Sequence, residues 1–228
     1  VGLLAGLITG LTITLLRIQP VVVTLALYFA LQGVNLLVAP NPVSLGEQDR
    51  WIYNLAHEVG PIPGAVFTIG IPLLIWYGLK RLPFGNLLYA VGSNDATAFS
   101  SGVNVTAVRV GSYALGGLFA GFGGLALTAL VHSANAATST QYALIAIAGV
   151  VLGGTSLAGG RGGLIGVCFG AFTIYLLQNL LSSFEVNPAW LQIVYGSILI
   201  IAVVIQGALM PEAGIGGLKA RRTPIWHR

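Results

Sequence analysis

The chain has 228 residues, 56% of them hydrophobic and 7% charged, and a formal net charge of +4. Ordinary globular domains hold roughly 25% charged residues, so a chain with so few, and a mean hydropathy of +0.89, could not cover a water-facing surface. Composition therefore excludes a soluble domain and points to an integral membrane protein, while the single cysteine, Cys168 in an apolar run, excludes a disulfide framework and a zinc site.

A bilayer core of about 30 Å asks for roughly 20 apolar residues in a helix, or somewhat fewer at the short end. In chain order, about seven uninterrupted apolar runs qualify: 1–16, 21–39, 64–79, 110–131, 142–158, 164–183 and 189–209. They are continuous and do not alternate with polar residues, so they predict helices and not barrel strands. The expected fold class is all-α, a polytopic transmembrane helical bundle over residues 1–209, with a long connection at 80–109 and a tail at 210–228. The only methionine is Met210, and Val1 opens inside an apolar run with no basic region before it. That pattern predicts a fragment whose upstream spans are missing, and not a signal peptide.

The connections carry the charge. Arg17 follows the first run; Glu47, Asp49, Arg50 and Glu58 follow the second; Lys80, Arg81, Asp95 and Arg109 lie between the third and fourth. Arg161, then Glu185, then Glu212, Lys219, Arg221, Arg222 and Arg228 complete the set. If the tail is cytoplasmic, alternation puts every Lys and Arg except Arg50 on the cytoplasmic side and four of the six acids opposite. Such a split is what the positive-inside rule describes. The basic balance is thus a topology signal and gives no reason to invoke nucleic acid.

Glycine occurs 32 times, often at four-residue spacing: Gly2, Gly6 and Gly10; Gly117 and Gly121; Gly162, Gly166 and Gly170. In lipid, small residues at that spacing let helix backbones approach closely. Tight packing is the expected role of these pairs.

Catalytic chemistry is not visible. His57, His132 and His227 all fall in loops, at span edges or in the tail, and no acid lies within a span. Gly154-Thr155-Ser156-Leu157 resembles a serine-protease turn only superficially, because no intramembrane histidine could act as its base. No metal-ligand cluster appears, and no catalytic or cofactor-binding residue is assigned. A proton- or sodium-coupled pump keeps ionisable groups at membrane depth, and the runs contain none. The composition suits a path whose energy is supplied elsewhere.

Within 80–109, local signals predict a short helix. Asn94 or Asp95 is placed to cap its start, Ala96 to Ser101 span about two turns, and Gly102 offers a left-handed stop. Two turns are marginal alone in water. A helix with small side chains apart from Phe99 suits a groove on another protein, but the local signals fit a solvated loop equally well.

The stretch LGGTSLAGGRGG, Leu152 to Gly163, fits the first half of a phosphate-binding loop. That motif needs lysine and then serine or threonine after its last glycine, following a strand. Gly160 and Arg161 stand there instead, between two apolar runs. Gly153, Gly154, Thr155, Ser156, Gly159, Gly160, Arg161 and Gly162 are expected to break helix in a tight cytoplasmic turn, with Arg161 marking the inner side. A sharper reading makes this turn a joint beside a substrate path, since broken membrane helices line cavities.

Three stretches together resemble a known family. Arg17-Ile18-Gln19-Pro20-Val21-Val22-Val23-Thr24-Leu25 is similar to R-I-P-P-F-I-V-T-L. Tyr89 to Ala96, continuing through Ser101 to Val105, is similar to Y-A-I-G-G-N-x-x-A-A-x-x-S-G-I-N-V. Ile147 to Leu157 with Gly159 to Gly162 is similar to I-A-A-V-V-L-G-G-T-S-L-x-G-G-R-G. The family is the permease subunits of bacterial ATP-binding cassette (ABC) importers for monosaccharides, of the ribose, galactose and xylose type. Its superfamily also holds branched-chain amino-acid permeases. The resemblance runs in order over essentially the whole chain, and the second and third stretches are its specific part.

The resemblance implies a type II-like importer permease of the bacterial inner membrane, multi-pass and without its own ATP hydrolysis or cofactor. It would be paired with a second permease copy, driven by a cytoplasmic ATPase and fed by a periplasmic solute-binding protein. Gly92, Asn94, Asp95, Ala98, Gly102 and Val103 would belong to a coupling helix that docks on the ATPase. The sequence departs from the pattern at Ser93 and Phe99, and at Ala143 and Ile145, where sugar permeases often carry acids able to accept hydrogen bonds from sugar hydroxyls. A branched-chain amino-acid or other small-solute permease is the alternative within the superfamily. A stand-alone transporter or channel is the alternative outside it, and it predicts intramembrane charges or inverted repeats that are not evident here.

Overall fold

Backbone groups in hydrocarbon have no water to bond, so each apolar run must satisfy itself as a helix. The computed structural model describes residues 1–44, 46, 52, 58–59, 62–135, 138–156, 159–184 and 188–209. Glu47, Asp49, Arg50, His57, Leu157, Glu185 and everything from Met210 onward lie outside the described residues. The helices, in order, are α1 (Gly2–Leu16), α2 (Pro20–Val38), α3 (Gly64–Arg81), α4 (Pro83–Ser93) and α5 (Asp95–Ser100). They continue with α6 (Val105–Val131), α7 (Thr138–Leu152), α8 (Leu164–Ser183) and α9 (Pro188–Leu209). Four two-residue strands accompany them: β1 (Val43–Ser44), β2 (Glu58–Val59), β3 (Ile62–Pro63) and β4 (Ser133–Ala134).

Every expected run falls on a helix. Among the described residues, α2, α6 and α8 are long and apolar enough to cross a membrane, while α1 and the Tyr142–Leu152 part of α7 are shorter apolar helices. Large aliphatic and aromatic side chains stand exposed along them, including Leu25 and Phe29 on α2 and Ile165, Phe169 and Phe172 on α8. A contiguous apolar surface on this scale is unfavourable in water and natural in lipid. The protein is a helical membrane protein.

Three boundaries differ from the sequence expectation. The connection at 80–109 is mostly helical: α4 fills Pro83–Ser93, and α6 begins at Val105 instead of 110 because the Asn104 side chain caps it, accepting from Ala107 N–H at 3.1 Å. The run expected at 142–158 forms a helix that starts earlier and stops at Leu152, where a glycine pair ends it. The connections expected at 40–63 and 132–141 carry short paired strands: Val43 faces Ala134 and Ser44 faces Ser133 in one antiparallel pair, and Glu58–Val59 meets Ile62–Pro63 in the other.

The chain divides into two compact units, residues 1–139 and 140–228. In the first, α1 and α6 lie backbone to backbone. Gly2 faces Gly117 and Gly121, Gly6 faces Tyr113 and Ala114, and Gly10 faces Val110, so the two helices run antiparallel. A Cβ placed on Gly10 would lie 2.9 Å from Val110 Cα, which leaves no room for a side chain. In the second unit the same device joins α7 to α8: Gly149 and Gly153 meet Gly170, and Gly153 also meets Gly166. Beside that contact, Ala148, Ile174 and Tyr195 form a buried cluster with Ile145 and Leu199 packed against it, which ties α9 to the pair. Small-residue stripes thus act as close-packing faces, as membrane helices that gain nothing from the hydrophobic effect require.

Candidate functional site

The residues singled out from the sequence fall into two groups. Gly92, Asn94, Asp95, Ala98, Gly102 and Val103 converge in one elbow between α3 and α6 of the first unit. Gly153, Gly154, Thr155, Ser156, Gly159, Gly160, Arg161 and Gly162 make the turn between α7 and α8 of the second.

The elbow begins at Pro83, whose fixed φ suits the first position of a helix. Phe84, Leu87, Leu88 and Val91 recur at three- and four-residue spacing and give α4 one apolar face. That helix was not anticipated from the sequence, although both signals were present. Its Val91 packs with Ala98 of α5 and Val108 of α6 in a buried cluster, with Phe84, Leu87, Val103 and Val105 around it.

On that base sits α5. Asn94 is its N-cap, and its side-chain oxygen accepts from Thr97 N–H at 3.1 Å. At the other end Gly102 N–H donates to Phe99 O at 3.0 Å and Val103 N–H to Ala98 O at 3.2 Å. Those two bonds, with Gly102 at φ 80°, are the Schellman arrangement, completed by the apolar contact of Val103 with the Ala98 cluster. Only glycine holds that φ without steric cost. One face of α5 is therefore pinned, while Phe99 on the other is 73% exposed among exposed Ala96, Thr97 and Ser100. Asp95, left free by Asn94's capping role, forms an ion pair with Arg109 of α6.

Among the described residues of the first unit, the basic side chains gather at one end of the helices. Arg17 closes α1 at φ 53°, and Lys80 and Arg81 occupy the last turn of α3, where cations complement the helix dipole. Arg81 stacks 4.5 Å above the Tyr77 ring. Because α1 and α6 are antiparallel, Arg17 lies at the same end as Arg109. The Phe84 ring against Gly111 brings the α3–α4 corner to that end as well. The β1–β4 pair follows the far ends of α2 and α6. Arg17, Lys80, Arg81 and Arg109 thus share the end that carries α5.

The second group closes α7 in the same way as α5. Gly154 N–H donates to Val151 O at 3.0 Å, Thr155 N–H to Val150 O at 3.2 Å, and Gly154 sits at φ 80°. Ser156 N–H then donates to Arg161 O at 3.0 Å and Gly159 N–H to Ser156 O at 3.2 Å, which folds the loop on itself. Gly162 packs so tightly on Thr155 that a Cβ would lie 2.7 Å from its Cγ2. A helix precedes this loop where a phosphate-binding loop needs a strand, and the lysine position holds Gly160. Among the described residues, no three of His, Cys, Asp and Glu gather as a metal site.

Residues 1–203 match the family model described as the permease component of the branched-chain amino acid transport system. The chain belongs to this permease family. Among its relatives, the ribose import permease RbsC of Bacillus subtilis is 36% identical over 201 residues, covering 86% of this chain and 62% of the relative. The Escherichia coli K12 ribose import permease RbsC is 34% identical over 212 residues, covering 90% and 65%. The fructose import permease FrcC of Rhizobium meliloti is 34% identical over 216 residues, covering 90% and 60%. The chain therefore spans somewhat under two thirds of the length of the curated relatives it matches. No solved structure matches it significantly.

Proposed function

We propose that this chain is part of the permease subunit of an ABC importer, forming the translocation path for a small polar solute, in the first place a monosaccharide. The observation that carries the reading is α5: a capped, six-residue helix with one face pinned and Phe99 displayed on the other, at the basic end of its unit. It is the shape a docking element needs, on a chain similar to ribose and fructose import permeases. In this reading α5 and its flanks, Gly92 to Val103, couple the permease to a cytoplasmic ATPase, which hydrolyses ATP in place of this chain. A periplasmic binding protein delivers the solute, and a second permease copy completes the path.

The basic end faces the cytoplasm, in keeping with the positive-inside rule. Residues 1–209 then cross the inner membrane seven times, with the coupling segment at 80–109 and the tail at 210–228 on the cytoplasmic side. The turn at 153–162 flanks the path. A branched-chain amino acid is the second solute class, supported by the family description and by the absence of carboxylates at Ala143 and Ile145.

The test is reconstitution of the full-length protein with its ATPase and binding protein in proteoliposomes. Uptake of ribose, fructose or galactose that requires ATP, and that disappears on deletion of residues 94–102 while the spans stay folded, is the expected result. Uptake that survives this deletion rules out the coupling role. Uptake of leucine in place of any sugar moves the solute to the second class.

A further inference from the structure

A docking helix passes displacement to a membrane span through the contacts that fix it there. In α5 the C-terminal half is fixed by Ala98 in the Val91–Val108 cluster and by the Gly102–Val103 turn. The N-terminal half continues from α4, with Asn94 N–H donating to Ala90 O at 3.2 Å, and beyond its own Asn94 cap it is joined to α6 by the Asp95–Arg109 ion pair. Asp95 is the first residue of α5, and Arg109 lies fourteen positions later, near the start of α6.

Among the basic residues gathered at this end, Arg109 is the one paired with Asp95. It lies just past the first turn of α6, and the apolar run that continues the helix starts at the next residue, Val110. The side chains of the pair are 40% and 44% exposed, so solvent screens the attraction and it adds little to overall stability. What the pair does supply is direction: it joins the N-terminal end of α5 directly to the beginning of α6. From there the glycine contacts of α6 with α1 leave no slack, because backbone lies on backbone at Gly2, Gly6 and Gly10.

We infer that the Asp95–Arg109 ion pair is a positioning strut that carries displacement of the docked helix α5 into α6, and through it into α1. The inference rests on the coupling role of α5 proposed above and adds the residues through which coupling passes. Asp95 and Arg109 act through the helices they join and need not touch solute or ATP.

The experiment uses the full-length permease with its ATPase in nanodiscs, in wild-type form and as Asp95→Lys, Arg109→Glu and the doubly reversed protein. Two readouts need no solute: retention of the ATPase on tagged permease, and the stimulation of ATP hydrolysis by the permease. Each single reversal is expected to retain the ATPase but lower that stimulation about fivefold, the lower end of typical coupling between sites. The double reversal is expected to restore most of it. Asp95→Asn, which removes the charge and keeps the size, serves as a second variant where a reversal lowers the folded yield.

Undiminished stimulation in the single variants overturns the strut. So does a double variant as impaired as the singles, since the two charges would then act separately, for instance Arg109 on lipid phosphates. A wild-type permease that fails to bind the ATPase overturns the coupling reading itself, and the strut with it.

Discussion

The α5–α6 elbow and the α7–α8 turn close their helices with the same two hydrogen bonds and a glycine at the same φ of 80°, Gly102 in one and Gly154 in the other. Beyond that point they diverge. After Gly102 the chain enters an apolar cluster of three helices that pins one face of α5 through Ala98 and leaves the other face presented, with a polar cap and an ion pair at its start. After Gly154 it folds back on Thr155 and returns as α8 directly against α7, with Gly153 and Gly166 in contact. One stop motif serves two ends: a presented element in the first case, a buried helix–helix seam in the second. What separates them is the surroundings, small residues that let backbones touch as against larger apolar residues that prop helices apart.

The largest expected effect breaks the seam. Gly153→Val puts a side chain where a Cβ would already lie 2.5 Å from Gly166 O, so α7 and α8 must separate. The expected cost is about 1–3 kcal/mol or more, typical of overpacking, visible as a lower unfolding temperature in detergent. Next come the two stops. Gly102→Ala and Gly154→Ala each force a Cβ into the left-handed region, at roughly 1–2 kcal/mol. Similar losses of stability are expected from both, but only Gly102→Ala is expected to weaken stimulation of the ATPase; equal functional loss in both would erase the contrast drawn above.

A smaller effect is expected at the cap. Asn94→Ala removes the bond to Thr97 N–H and costs about 1 kcal/mol, measurable as faster limited proteolysis within 94–104, with Asn94→Ser close to wild type. The smallest effect on stability belongs to Phe99→Ala. The side chain is 73% exposed, so stability should stay within about 0.5 kcal/mol of wild type. Retention of the ATPase should nonetheless fall, and full retention would remove Phe99 from the docking face.

Much of this molecule is legible in its sequence. Asn94, Gly102 and the two turns between them predicted α5 from neighbours a few residues apart, and the structure has a helix over Asp95–Ser100. Each apolar run predicted a helix, and the structure has one at each place. The difference at α4 is one of scale: its 11 residues, with Pro83 at the start and one apolar face, are too short to stand out as a membrane run. The boundary misses at Val105 and Leu152 came from capping geometry, which run length does not report.

Composition, hydropathy and local capping belong to the sequence alone, because their physics acts within a turn or two of the chain or on the chain as a whole. They determined that this is a helical membrane protein, where each apolar helix lies, and which small residues recur at packing spacing. Which face meets which was decided only by tertiary structure. Gly2, Gly6 and Gly10 find α6 a hundred or more residues away, and β1 pairs with β4 across about ninety. Arg109 reads in sequence as one more inner-side charge, and only the folding of α4, α5 and α6 around Val91, Ala98 and Val108 brings it to Asp95. Contacts of that kind depend on where rigid elements come to rest, and no periodicity along the chain encodes that distance.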